Sequence, residues 1–143
     1  MALTQQRLDA DWIIFCDRAS TRQSVCAWKA DHRLAAFENP RDVIVATQRG
    51  RDADRSELIL RALAERAPGD TVAARTLLQV LLPGLRTVAR KFQYRIGDDA
   101  LAIAVGEAAI RISGGVPARR PGRVAANVVM DARAALIRAV NGP

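Results

Sequence analysis

Residues 70–92 read DTVAARTLLQVLLPGLRTVARKF, and their spacing decides the fold class of the whole chain. Ala73, Leu77, Leu81, Leu85, Val88 and Phe92 recur at intervals of three and four, which places them on one stripe of an α-helix. Arg75, Gln79, Arg86, Arg90 and Gln93 fall on the opposite side as a polar stripe. Asp70 stands where an N-cap is needed. Pro83-Gly84 lies inside the pattern and predicts a kink or break near Leu82, because proline lacks the N–H that the ladder needs and its ring crowds the preceding turn.

The same period extends outward in both directions. Residues 98–112 predict a helix that is apolar nearly all round, through Leu101, Ile103, Val105, Ala108, Ile110 and Ile112, and so buried between others. Asp98 or Asp99 in its first turn complements the helix dipole. The Gly-, Pro- and Arg-rich stretch 113–122 reads as a loop. A last helix over 123–140 turns Val124, Val128, Ala132, Ala135 and Leu136 inward and leaves Arg123, Asn127, Asp131 and Arg138 outside. Toward the N-terminus, helices are predicted over 4–17 (capped by Thr4), 20–37, 41–49 (after Asn39-Pro40) and 53–67, the last stopped by Pro68-Gly69. The apolar stripe of the first is Leu8, Trp12 and Phe15 or Cys16, the second turns Val25, Trp28 and Leu34 inward, and the fourth shows Leu58, Ile59, Leu60, Ala62 and Leu63. Aromatic residues make up 4% of the chain and no long alternating run occurs, so strands are not expected. The fold class is all-α: a helical bundle, with an N-terminal helical segment over 1–67 and a helical domain over 68–143.

Composition narrows the function classes. Half of the 143 residues are hydrophobic, enough for a sizeable core, yet no apolar run approaches the roughly 18 residues of a membrane span. No secretory signal pattern opens the chain, and the expected compartment is the cytoplasm. Cys16 and Cys26 are expected as buried thiols, with an antiparallel-helix disulfide as the lesser alternative. A single histidine, His32, and the lack of a CxxC pair leave no ligand set for zinc. No cofactor is expected. His32 sits between Asp31 and Arg33 on what reads as a solvated face, and the carboxylate pairs Asp98-Asp99 and Asp52-Asp54 open helices. Neither GxGxxG nor GxxxxGK[ST] occurs. No catalytic residue and no small-molecule substrate are therefore expected.

The charge points elsewhere. Residues 1–67 carry 11 Lys+Arg against 10 Asp+Glu, whereas residues 68–143 carry 11 against 5, so almost all of the net +7 belongs to the second part. A cationic excess of that kind suits a polyanion. Candidate contacts are the Arg75, Arg86, Arg90 and Lys91 stripe, the Arg119-Arg120-Pro121-Gly122-Arg123 segment, and the outer face of the last helix. An Arg-rich loop leading into a helix N-terminus brings side-chain charge and helix-end N–H groups to one phosphate. Stacking on single strands has weak support, since only Phe92 and Tyr94 are aromatic in this part and Phe92 belongs to the core stripe.

From Gly69 onward the order of elements resembles region 2 of the bacterial sigma-70 family, the extracytoplasmic-function type especially. GDTVAARTLLQVLLPGLRTVARKF at 69–92 is similar to that family's first region-2 helix, AVGEAAIRI at 104–112 to its second, and RRPGRVAANVVMDARAAL at 119–136 to its third. The resemblance covers about half of the chain and implies a three-helix core, contact with DNA, and contact with RNA polymerase core. The implied DNA contacts are Arg86, Arg90, Arg119, Arg120, Arg123, Asn127 and Arg133. Where the family carries an acidic polymerase-binding stretch, this chain has Ala100, Leu101, Ala102, Ile103 and Gly106, and only Glu107 keeps the acidic character, as the implied partner contact. The segment matching the family's promoter-opening loop has no aromatic residue. The expected function is that of a non-catalytic, sigma-factor-like transcription regulator. The alternative is a helical protein-interaction module, binding another protein or a second copy, that no longer binds DNA or polymerase.

Overall fold

The computed structural model describes residues 3–48 and 52–142. Among these residues every regular element is helical: α1 Gln5–Cys16, α2 Ala19–Ala27, α3 Pro40–Ala46, α4 Ala53–Arg66, α5 Thr71–Arg90, α6 Gln93–Ile96, α7 Asp99–Ser113, α8 Val116–Arg119 and α9 Val124–Asn141. Among the described residues no helix is long and apolar enough to cross a membrane.

Helix α5 is the centre of the molecule. It packs against α7 and α9 as a three-helix core, and α3 and α4 lie on its remaining apolar side. Leu77, Leu82 and Leu85 are fully enclosed. They share one continuous apolar core with Trp28, Leu34 and Leu63 from the first part of the chain and with Ile112 and Leu136 from the last two long helices. Asp70 ties the parts together. One carboxylate oxygen accepts from the Val72 and Ala73 backbone N–H groups as the N-cap, and the other accepts the indole N–H of the enclosed Trp28 at 2.9 Å.

Pro83 does not interrupt α5, which runs unbroken to Arg90. The residues on either side of it, Leu81, Leu82 and Leu85, are held by the core, and tertiary packing outweighs the missing backbone bond. Gly84 completes the arrangement. A side chain there would begin 3.2 Å from Val129 Cγ2, so glycine lets α9 come close.

Four other expectations are corrected. The helix predicted over 20–37 ends at Ala27, followed by a 3₁₀ turn, Trp28–Ala30, and a chain of turns. Asp31 takes extended backbone angles there. Its carboxylate accepts from both the backbone and the guanidinium of Arg33, a local bond that competes with helix continuation. The same bond holds the Asp31 pKa down to about 2, so its contribution to stability is complete above the usual aspartate range and is lost as pH falls toward 2. The helix predicted over 41–49 ends at Ala46, and position 49 lies outside the described residues. Cys26 is exposed, because Val25 beside it takes the inward position on α2; Cys16 is buried, burial raises its thiol pKa, and the two are not bonded. Finally α7 does lie between α5 and α9, but it is not buried nearly all round: Ala100, Ala104, Val105, Ala108 and Ile112 face the core, while Ala102 is exposed and Ile110 is 73% exposed.

Candidate nucleic-acid interface

The polar stripe of α5 has two fates. Its first half is covered by α1, so Arg75 is a structural residue. The Arg75 guanidinium lies 5.2 Å from the centre of the Trp12 ring and donates to Gln79 Oε1 at 2.8 Å and to the Leu8 carbonyl at 3.3 Å. Burial lowers its pKa. The second half stays open. Arg86 is half-buried, and Arg90, Lys91 and Gln93 are exposed. Beyond them α6 presents Tyr94, 79% exposed, with the Arg95 guanidinium 5.5 Å from its ring centre. Among the described residues no carboxylate pairs with Arg86, Arg90, Lys91 or Arg95.

The second cationic stretch, between α7 and α9, is engaged with its own chain. The segment read as a loop contains α8, whose Pro117 is buried. Arg119 donates to the Gly114 carbonyl at 3.0 Å, and Arg120 pairs with Asp131 of α9. Asn127 donates to the Pro121 carbonyl at 2.9 Å. The organising group is Arg61 of α4. Its guanidinium donates to the carbonyls of Pro117, Ala118, Arg120 and Gly122, at 3.1, 3.3, 3.1 and 2.6 Å. One turn earlier on α4, Glu57 Oε1 accepts the Val124 backbone N–H at 3.0 Å. The N-terminus of α9, read in the sequence as a phosphate cradle, therefore already holds a carboxylate.

Glu107 is similarly occupied, by Arg111 at 2.9 Å and Arg138 at 3.7 Å, and Arg111 also reaches Asp131 at 3.7 Å. The hydrogen bond to Glu107 raises the Arg111 pKa. Of the sequence-derived contact set, the structure brings Arg86 and Arg90 together at the end of α5 and gathers Arg120, Arg123 and Asn127 around the first turns of α9, while Arg119 turns back to the end of α7. Arg123 and Arg133 are exposed and have no carboxylate partner among the described residues. Tyr94 and Arg95 fall outside that set, and their adjacency to the open half of the stripe is the signal that could have found them. Arg61 and Glu57 leave only the signal of an ordinary i,i+4 helix pair. No protein-family model, curated protein or solved structure matches the chain.

Proposed function

We propose that the protein is a non-catalytic, transcription-associated module that binds nucleic acid through the C-terminal end of α5 and the turn of α6. The observation that carries this reading is the set Arg86, Arg90, Lys91 and Arg95 along the end of α5 and in α6, without a carboxylate partner among the described residues, with Arg95 against an exposed Tyr94. In the connection to α9, by contrast, arginines are spent on the chain's own carbonyls and carboxylates. Unpaired guanidinium and ammonium groups on a rigid helix end suit phosphates, and Arg123 and Arg133 supply further positive charge on α9. The resemblance to sigma region 2 supplies the transcription context, and RNA polymerase core is the protein partner it favours.

The test is fluorescence anisotropy with duplex and forked DNA at several salt concentrations, beside a pull-down of RNA polymerase core. The triple change Arg90→Ala, Lys91→Ala, Arg95→Ala is expected to leave the fold intact. It should make the log-log salt dependence on duplex shallower by about 2.7, at about 0.9 for each phosphate no longer neutralised. An unchanged slope would remove this end of the bundle from the interface. A second reading, a helical module that binds another protein or a second copy, is favoured by Ile13 and Ile14. They lie side by side on α1 at 56% and 61% exposure. Partner binding that is indifferent to salt and abolished in Ile13→Ser, Ile14→Ser would support it.

A further inference from the structure

A cleft of about 280 Å³ opens where the N-terminus of α1, the end of α5 and the start of α7 meet. Its polar walls are built from Gln5, Arg86, Arg90, Gln93 and Asp98, with Leu101 as an apolar wall. Two atoms of these side chains are enclosed, away from the cleft surface, without a hydrogen-bond partner: the donor Arg86 Nε and the acceptor Gln5 Oε1. The Gln5 amide is held in place by its other end, whose nitrogen donates to Asp9 Oδ1 at 2.8 Å. Its oxygen is thus a fixed acceptor with nothing to accept. Arg86 and Arg90 are one helical turn apart, on the same side of α5. Asp98 has no ion pair among the described residues and gives no side-chain cap to α7.

The charged side chains that line the cleft, Arg86 and Arg90 with Asp98, define the ligand chemistry. A simple anion would engage the arginines and be repelled by Asp98. A simple amine would engage Asp98 and be repelled by the arginines. A molecule with both groups a short distance apart meets the arginines and Asp98 together. The geometry points to a small-molecule site for a zwitterionic α-amino acid. Its carboxylate lies toward Arg86 and Arg90, its ammonium toward Asp98, and its side chain against Leu101. This site does not depend on the nucleic-acid reading. It shares Arg86 and Arg90 with that interface, so an occupied cleft competes with phosphate binding and gives the protein a ligand-sensitive contact.

The test uses the full chain and three probes of matched length: norleucine, hexanoate and pentylamine. Binding is followed by ¹H–¹⁵N shifts of the amides of Gln5, Arg86 and Leu101. Norleucine is expected to shift all three and to bind about tenfold more tightly than either single-charge analogue, as two charge-assisted contacts surpass one. Asp98→Asn should reduce norleucine to the level of hexanoate, and Leu101→Trp should fill the cleft and abolish the shifts. If the tryptophan variant fails to fold, Asp98→Asn still decides. Equal binding of the three probes, or no shifts at about 10 mM probe, the affinity scale below which a site has no meaning, would overturn the proposal. A nucleoside 5′-monophosphate shifting these amides where norleucine does not would likewise overturn it. Absence of DNA binding by the ligand-free parent protein, with norleucine binding present, would count against the nucleic-acid reading alone.

Discussion

Residues 90–95 and residues 119–123 hold three cations each, Arg90, Lys91 and Arg95 in one and Arg119, Arg120 and Arg123 in the other. Their fates are nearly opposite. The first group sits at and just beyond the C-terminal end of a helix, where positive charge complements the dipole and the Val88 and Ala89 carbonyls accept from the Lys91 and Phe92 N–H groups. No neighbour draws these side chains inward. The second group lies in an irregular connection with exposed carbonyls and with Asp131 opposite, and two of its three arginines bond to their own chain. What separates a binding arginine from a structural one is the local supply of unsatisfied acceptors. Charge density along the sequence does not report it.

The largest effect that tests this contrast is expected at Arg61. Arg61→Ala removes the donor to four carbonyls of the α8–α9 connection and leaves Glu57 without its helix partner. A loss of about 3 kcal/mol in urea unfolding is expected, the scale for a charged donor whose acceptors are left partly buried. Arg90→Ala, on the open helix end, is expected to stay within about 0.5 kcal/mol of the parent. Equal losses at the two positions would dissolve the distinction between the regions.

Next in size is Glu57→Ala. The substitution removes the carboxylate that accepts the Val124 N–H and faces the α9 dipole, at a cost of about 1 kcal/mol, the usual value of an N-terminal cap. It also vacates the one helix N-terminus in the second part of the chain that the sequence suggested for phosphate. Sulfate should therefore stabilise Glu57→Ala against heat more than it stabilises the parent. A parent protein stabilised by sulfate to the same degree would show that Glu57 does not occupy that position in solution.

Much of this architecture was legible in the amino-acid order. The spacing of Leu77, Leu81, Leu85 and Val88 defined the central helix, and Thr4, Asp52 and Asp70 marked helix starts that the structure keeps with side-chain caps. Periodicity reports which face a helix buries, and caps report where it begins. Neither reports a local competitor such as the Asp31–Arg33 pair, which stands just past the 3₁₀ turn where the helix predicted over 20–37 gives out, more than half of it unformed. Nor does proline at position 83 act on its own, since the core on both sides of it decides whether the helix survives. The candidate interface was legible only as a set of charges. Arg75 and Arg86 belong to one stripe in the sequence, and only the docking of α1 separates them. Arg61 reaches a segment more than fifty residues away, a contact that no local pattern encodes.

The smallest expected effect is also the sharpest, because it compares single side chains of one type. Arg119→Ala removes one hydrogen bond to the Gly114 carbonyl from an exposed residue, so stability should fall by only about 0.5 kcal/mol. Arg95→Ala removes a guanidinium that rests against Tyr94, also on the surface, and its stability cost should be no larger. Nucleic-acid affinity separates them. Arg95→Ala should make the salt dependence on duplex DNA shallower by about 0.9, the value of one neutralised phosphate, and Arg119→Ala should leave it unchanged. If Arg119→Ala shifts the slope by the same amount, then its bond to Gly114 opens on binding. The α8–α9 connection would then join the interface, as the sequence resemblance implied.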